Sequence, residues 1–325
     1  MNALKHVRRS TISTDFILRV TGRNLLQTQQ QTQTRGVATG TTSFKLNTGA
    51  SIPAIGFGTF QDPDAQEHAV SRALKAGMRL IDTARVYNVE KEVGKGIKNS
   101  GIPREEIFLG TKLWCNNFHP GDVERALDES LMDLDTPYVD LLMMHYPCTF
   151  ARGEDRFPRD KDGKMILGRT SYVDTWKAIE KLTKTGKVKA IGVSNFSRGE
   201  LEKLIKECSV VSLRKIEIAQ DEFWQFCWSK EVSHMMRVID QPLLKELGQK
   251  YGKSVVQIAL SWGINNGRSV IPKSTIDWQI KENVDADFKL DPEGMRAIET
   301  LDIKARFNDP SLDYQWRLYS DLKGI

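Results

Sequence analysis

One pattern repeats along most of this chain: a short apolar run, then a stretch whose apolar residues recur at helical spacing. The runs are PAIGFGT, RLI, IFLGT, VDLLMM and KVKAIGVS, with SVIPK much later. The spacing predicts helices over Ala65–Ala76, Val89–Asn99, Gly121–Leu134, Tyr172–Thr185 and Arg198–Lys206, then Gln241–Tyr251 and Val255–Asn265. FKLNTGASIP reads as a hairpin turning at NTG. Strands alternating with helices must run parallel, because parallel neighbours need a crossover. A doubly wound sheet and a (β/α)8 barrel both satisfy that rule. The dinucleotide fingerprint GxGxxG does not follow the first strand, where GFGTF has the wrong spacing. The expected fold class is therefore α/β, a (β/α)8 TIM-type barrel.

The strand ends carry the chemistry. RLI runs into Asp82, IFLGT into Lys112, VDLLMM into His145, KAIGVS into Asn195 and SVIP into Lys273. Asp82 read alone is a helix cap. Five strands with a polar or ionisable group at the carboxyl end need another account, because an isolated buried charge costs several kcal/mol or more. In a parallel barrel all these ends lie on one face, where barrel active sites are built, and the groups can satisfy one another there. Tyr87 follows Asp82 by five residues. A phenol titrates near ~10, too high for ready proton donation at neutral pH. A neighbouring ammonium can move such a value by ~1–3 units. An Asp, Tyr, Lys and His set suits general acid catalysis at a carbonyl, a proton transfer worth about 10²–10⁴-fold. It holds no electron source, so a hydride-donating cofactor is implied.

Taken in order, GFGTF, LIDTARVYNVEKEVG, GTKLW, DLLMMHYP, GVSNF and VIPKS resemble the aldo-keto reductase family, in its fungal NADP-dependent alcohol or glycerol dehydrogenase type. The resemblance covers most of residues 44–208 and 238–300. It implies a barrel that uses NADPH/NADP+ without a Rossmann domain, reducing aldehydes or ketones reversibly. It implies Tyr87 as proton donor, Lys112 and Asp82 as its tuning pair, and His145 as the partner that orients the carbonyl. Ser194 and Asn195 would hold the nicotinamide carboxamide, with Thr59 and Phe60 lining the nicotinamide and substrate side. Lys273 and Ser274 would take the adenosine 2′-phosphate, and Glu282 and Asn283 would lie near the adenine. Trp114 and Tyr146 would wall the substrate pocket. Phe307, Tyr314, Trp316 and Tyr319 of the tail would pack near its mouth.

Two departures from the family pattern stand out. After the fifth helix the family continues with a strand bearing Asn–Gln, a helix, and a strand ending in a Tyr–Ser–Pro–Leu–Gly type motif. That motif occurs nowhere in this sequence. Residues 209–239 number 31, and one βα unit alone takes about 30. The expectation is an incomplete barrel lacking the strand 7 region, with KIEIAQ (215–220) as a surviving sixth strand. The alternative function is then a catalytically impaired barrel that acts as a cofactor-binding or regulatory protein. The second departure is Gln279, where the family's arginine would grip the 2′-phosphate with a charged fork.

Charge and cysteine content narrow the class further. The net charge is +5, from 47 basic and 42 acidic residues. Residues 1–43 hold six of the basic residues and one acid, so the remainder balances at 41 against 41. A nucleic-acid partner would need a basic body, and none is expected. No apolar run approaches the ~18–20 residues that cross a bilayer, so no membrane partner is expected. The partner expected is a small carbonyl or alcohol substrate, on a monomer. Residues 1–43, with QTQQQTQT, read as a disordered or targeting extension ahead of a barrel domain at 44–325. The location expected is cytoplasmic, or mitochondrial if the extension is a transit peptide. Cys115, Cys148, Cys208 and Cys227 form no CxxC pair, and the histidines have no ligand spacing, so neither a disulfide framework nor a metal site is expected.

Overall fold

The computed structural model of the chain describes residues 42–208, 238–301 and 310–318, which all fall within one unit spanning Ala38–Ile325. It opens with a hairpin, β1 (Ser43–Lys45) and β2 (Ser51–Pro53), in antiparallel register Phe44↔Ile52. Five parallel strands follow: β3 (Phe57–Gly58), β4 (Leu80–Asp82), β5 (Phe108–Leu113), β6 (Val139–Met144) and β7 (Val188–Val193). They lie side by side in chain order, β3-β4-β5-β6-β7. A doubly wound sheet would reverse its strand order at a switch point. An unreversed order instead builds the wall of a barrel. Ahead of β3, Ile55 forms a parallel bridge to Val270, and Gly58 N donates to Pro272 O at 3.1 Å. The SVIPK segment thus flanks β3 on the side away from β4, without forming a named strand of its own.

Helices α1 (Pro63–Lys75), α2 (Glu90–Ser100), α3 (Val123–Asp133), α4 (Tyr172–Leu182) and α5 (Arg198–Glu207) alternate with these strands. After them come α6 (Pro242–Tyr251), α7 (Val255–Asn265), α8 (Asp277–Val284), α9 (Pro292–Glu299) and the single turn α10 (Ser311–Tyr314). The starts follow local chemistry. Pro63 and Pro242 sit in the first helical positions, where the missing N–H costs nothing. Ser197 with Glu200, and Ser254 with Gln257, form reciprocal capping boxes. Helix α2 packs tightly because it carries glycine on two sides. A Cβ at Gly94 would lie 2.6 Å from Leu134 O, and one at Gly96 would lie 2.6 Å from Glu67 O.

Two-residue alternation along the strands divides the core. Leu80, Phe108, Leu141, Met143 and Ala190 form an inner cluster with Ile271 and with Leu46 and Ile52 of the hairpin region. Ile81, Leu109, Leu142, Met144 and Ile191 face the other way, into a larger cluster with the helices that holds the buried Trp176, Phe118 and Leu127. The hairpin therefore covers the inner side at the amino ends of the strands. The carboxyl ends are left for the polar groups. Residues 209–237 lie outside the described residues, and with them KIEIAQ, the site of the missing motif, and the question of an incomplete wall.

Candidate active site

Strand parity places the polar groups. On β4, Leu80 faces inward, so Asp82, two residues on, faces inward as well. On β5 the same count runs from Phe108 through Gly110 to Lys112. On β6 it runs from Leu141 through Met143 to His145, and on β7 from Ala190 through Gly192 to Ser194. The parallel register aligns Asp82 with Gly110, Lys112 with Met143, and Met144 with Val193. Four residues distant in sequence thus reach one rim on the same side of the sheet.

The contacts follow from that placement. Lys112 Nζ is ion-paired to Asp82 Oδ2, with both side chains at most 3% exposed. It also donates to Thr83 O at 3.0 Å and to the Tyr87 hydroxyl at 3.4 Å. The single-residue reading of Asp82 as a helix cap does not hold. The turn Arg85–Tyr87 is flanked by Ala84 and Asn88, α2 is preceded by Val89, and neither start carries a side-chain cap. The Tyr87 ring meets His145 edge-on, with centroids 5.5 Å apart, and meets Phe60 at 5.0 Å. His145 is buried, and among the described residues its Nδ1 has no hydrogen-bond partner. Burial first, and the Lys112 charge second, hold its pKa well below the usual imidazole value. The ring is therefore neutral at pH 7, able to donate one hydrogen bond and unable to act as a cation.

Around this set stands an aromatic wall. Trp114 is buried and meets His145 at 5.2 Å, Tyr146 at 6.0 Å, Phe157 at 5.3 Å and Tyr314 at 6.1 Å between ring centroids. His145 stacks on Tyr146, with planes 13° apart. Its tail partner Tyr314 also meets Tyr146 and Phe150, each at 5.2 Å. Trp316 instead donates from its indole to Glu200 Oε1 at 3.0 Å, and Phe307 and Tyr319 lie outside the described residues.

On the β7 side, Asn195 takes a left-handed backbone, φ 61°, which turns its amide back toward the site. Its Nδ2 donates to His145 O at 2.8 Å and to Ser194 Oγ at 3.0 Å. Thr59 Oγ1 donates to Asp82 O at 3.1 Å, tying the end of β3 to that of β4. Farther along, Lys273 is ion-paired to Asp62, and Ser274 Oγ donates to Gln279 Oε1 at 2.6 Å. Glu282 contributes its backbone carbonyl to Gln257 Nε2 at 2.9 Å. Asn283 is buried, and among the described residues both its Nδ2 and its Oδ1 lack partners. A donor and an acceptor side by side and unmatched are the complement of a nucleobase edge. Those residues fit a dinucleotide.

Sequence reasoning missed the clamp beneath Tyr87. Arg85 is ion-paired to Asp133, to Glu129 at 3.1 Å and to Glu90 at 3.4 Å. Buried Glu90 also accepts from Thr111 Oγ1 at 2.6 Å and from Ser130 Oγ at 3.0 Å. Thr111 has the outward parity of β5, so the turn that carries Tyr87 is fastened to β5 and α3 from behind. Arg85 and Glu90 stand five apart around Tyr87, the one local sign available. It missed a second pair as well. Cys115 and Cys148 Sγ lie 3.9 Å apart and fully buried, although 33 residues separate them.

Comparison with known proteins agrees with the geometry. Residues 39–241 match the Aldo/keto reductase family. An uncharacterized oxidoreductase of Schizosaccharomyces pombe is 38% identical over 296 residues, 82% of this chain and 90% of that protein. Aldo-keto reductase family 1 member A1 of Xenopus tropicalis is also 38% identical, and that of Homo sapiens 36%, each over 82% of this chain. The aldose reductase structure from Schistosoma japonicum superposes with a TM-score of 0.77 at 29% identity, covering 86% of this chain and 98% of that one. The strand order, the inward polar rim and these likenesses agree on a TIM-barrel oxidoreductase fold, and the chain belongs to the aldo/keto reductase family.

Proposed function

We propose that this chain is an NADPH-dependent reductase of small aldehydes and ketones, working reversibly, with Tyr87 as the general acid. The observation that carries the reading is the contact series Asp82, Lys112, Tyr87 along one rim, with the His145 ring edge-on to the phenol. The Lys112 ammonium beside the phenol favours loss of the hydroxyl proton, and the buried Asp82 carboxylate, ion-paired to that ammonium, holds it in place. His145, neutral and short of a partner, donates a hydrogen bond to the same carbonyl oxygen and fixes its direction. Phe60 and Trp114 exclude water on either side of the bound carbonyl.

When bound, the cofactor supplies the hydride. Ser194 and Asn195 would hold its carboxamide, Thr59 and Phe60 its reactive face, Lys273 and Ser274 its 2′-phosphate, and Glu282 and Asn283 its adenine. Lys273 already has a counter-charge in Asp62, and Gln279 bonds to Ser274 rather than offering a cation. A modest preference for NADPH over NADH follows. Aldehyde-dependent loss of NADPH absorbance in the purified chain supports the proposal. NADPH binding by fluorescence titration, with no turnover on any short aldehyde or ketone, favours the impaired, cofactor-sensing reading suggested by the absent Tyr–Ser–Pro–Leu–Gly motif.

A further inference from the structure

Tyr87 is the last residue of a single 3₁₀ turn, Arg85–Tyr87. Backbone bonds close the turn, from Tyr87 N to Ala84 O at 3.0 Å and from Asn88 N to Arg85 O at 3.4 Å. Ala84 at its start offers no side-chain cap, and the chain leaves it through Asn88 in a left-handed conformation, φ 57°. Hydrogen bonds of this kind have poor geometry, so the backbone alone holds the phenol loosely. Side chains in such a turn leave it about 120° apart. Tyr87 points to the rim, and Arg85, two residues back, points behind it. There one guanidinium meets three carboxylates: Asp133 in ion-paired contact, Glu129 at 3.1 Å and Glu90 at 3.4 Å. These acids are themselves anchored. Buried Glu90 accepts from Thr111 of β5 and from Ser130 of α3, and Glu129 and Asp133 stand one turn apart on α3. Arg125 pairs with Glu129, and Lys91 Nζ lies 3.9 Å from Asp133 Oδ1, so cations and acids balance around the turn.

We infer that Arg85 is a positioning residue for the general acid, setting the rate of proton delivery by holding the Tyr87 hydroxyl against Lys112. This rests on the reductase reading above. The contacts close a circuit around β5. On its outward side Arg85 reaches Glu90, and Glu90 reaches Thr111. On its inward side Tyr87 meets Lys112, the next residue along. Neighbouring residues of a strand point to opposite faces and move together. The clamp therefore fixes the turn against the same stretch of backbone that carries the ammonium. That precision matters because the Lys112 Nζ to Tyr87 hydroxyl distance, 3.4 Å, is already long for a hydrogen bond. A misplacement of about 1 Å can cost about 10²-fold in rate. Arg85 meets its carboxylates behind the turn, so it acts on the reaction through Tyr87 and not on the substrate.

The test compares wild type with Arg85→Met, Arg85→Lys and Asp133→Asn. The last breaks the α3 anchor and leaves the guanidinium paired with Glu90 and Glu129. Single-turnover loss of NADPH absorbance, with 4-nitrobenzaldehyde saturating, should slow by about 10-fold or more in Arg85→Met. Arg85→Lys should recover part of the rate. The NADPH Kd by fluorescence titration and the aldehyde KM should stay within about two-fold of wild type, because neither ligand meets Arg85. The pH profile is the readout that lost stability alone does not move. The phenol is faced by Asp82 from β4, Lys112 from β5 and His145 from β6. Behind its turn stand Arg85, Glu90, Lys91, Arg125, Glu129 and Asp133, with Arg156 bonded to Asn88. Reduction needs the phenol protonated, so the rate falls as pH rises through the phenol's pKa. In Asp133→Asn a loosened turn carries the hydroxyl away from the ammonium, and that fall should move to higher pH. Removing a negative charge without movement would send it to lower pH. An unmoved or lowered fall in Asp133→Asn overturns the inference, as does a wild-type single-turnover rate in Arg85→Met. If Arg85→Met does not fold, Asp133→Asn decides alone. Wild type with no turnover of any aldehyde overturns the reductase reading, and this inference with it.

Discussion

Asp82→Asn is the substitution that most sharply probes the charged centre of the site. Asp82 and Lys112 are both nearly sealed from solvent, and among the described residues Lys112 Nζ has otherwise only Thr83 O and, at 3.4 Å, the Tyr87 hydroxyl. The amide that replaces the carboxylate keeps its shape and removes its charge. An ammonium is then left in a buried site with only neutral partners. Removing one member of a buried pair costs about 3–5 kcal/mol, most of it the uncompensated charge. For a chain of this length that is a fall in Tm of about 4–7 °C. Lys112→Met should cost less, because the remaining carboxylate can take up a proton. Asp82→Asn with Lys112→Met should cost clearly less than the two single changes added together, since no lone charge remains. Thermal and urea denaturation of the four proteins, run without cofactor, close the cycle. Additivity to within about 0.5 kcal/mol would mean the two groups do not interact, and the reasoning from the pair would fail.

Three further outcomes follow from the same geometry. Gln279→Arg should raise the NADPH-over-NADH affinity ratio by about 10-fold, because it adds a charged fork where Ser274 now bonds an amide; equal affinities from fluorescence titration would count against that placement. The depressed His145 pKa makes the unfolded chain bind more protons below the ordinary imidazole value, so stability should fall as pH drops from about 6.5 toward the folded pKa, by up to about 1.36 kcal/mol per pH unit, and be unaffected above it. His145→Gln should flatten that part of a urea-midpoint profile against pH; an identical slope refutes the assignment. Cys115, buried and with its thiol pushed up by burial and by Cys148, should react with a thiol reagent only as fast as the chain unfolds, measured by mass spectrometry across a urea series.

Much of the wall was legible because its signals are local. VDLLMM, uninterrupted and apolar, matches β6 residue for residue, and Val255–Asn265 matches α7. The hairpin at NTG was likewise readable, since turn chemistry sits within a few residues. Boundaries slipped where tertiary contacts decide them. PAIGFGT contracts to Phe57–Gly58, and SVIPK forms a bridge at Val270, because each pairs only briefly with the other. Tyr172–Thr185 ends at Leu182, and the Ala65–Ala76 helix begins earlier, at Pro63.

The site divides in the same way. Asp82, Lys112 and His145 could be foreseen from their places at strand ends, and parity then explains why they share one side; on the fifth of these strands the end was read as Asn195, whereas parity puts its neighbour Ser194 on that side. The groups that hold Tyr87 could not be. Glu129 and Asp133 lie on α3, more than forty residues from Arg85, and nothing in their own stretch marks them as its partners.

The phenol of Tyr87 as proton donor is the centre of this account, and Tyr87→Phe tests it most directly. The substitution removes one oxygen from a ring held by Phe60 and His145 and leaves the Asp82–Lys112 pair in place. Turnover of an aldehyde that wild type reduces should drop by about 10²-fold or more, with NADPH binding by fluorescence quenching close to wild type. Retained turnover within a few-fold of wild type, at equal cofactor occupancy, would contradict the account.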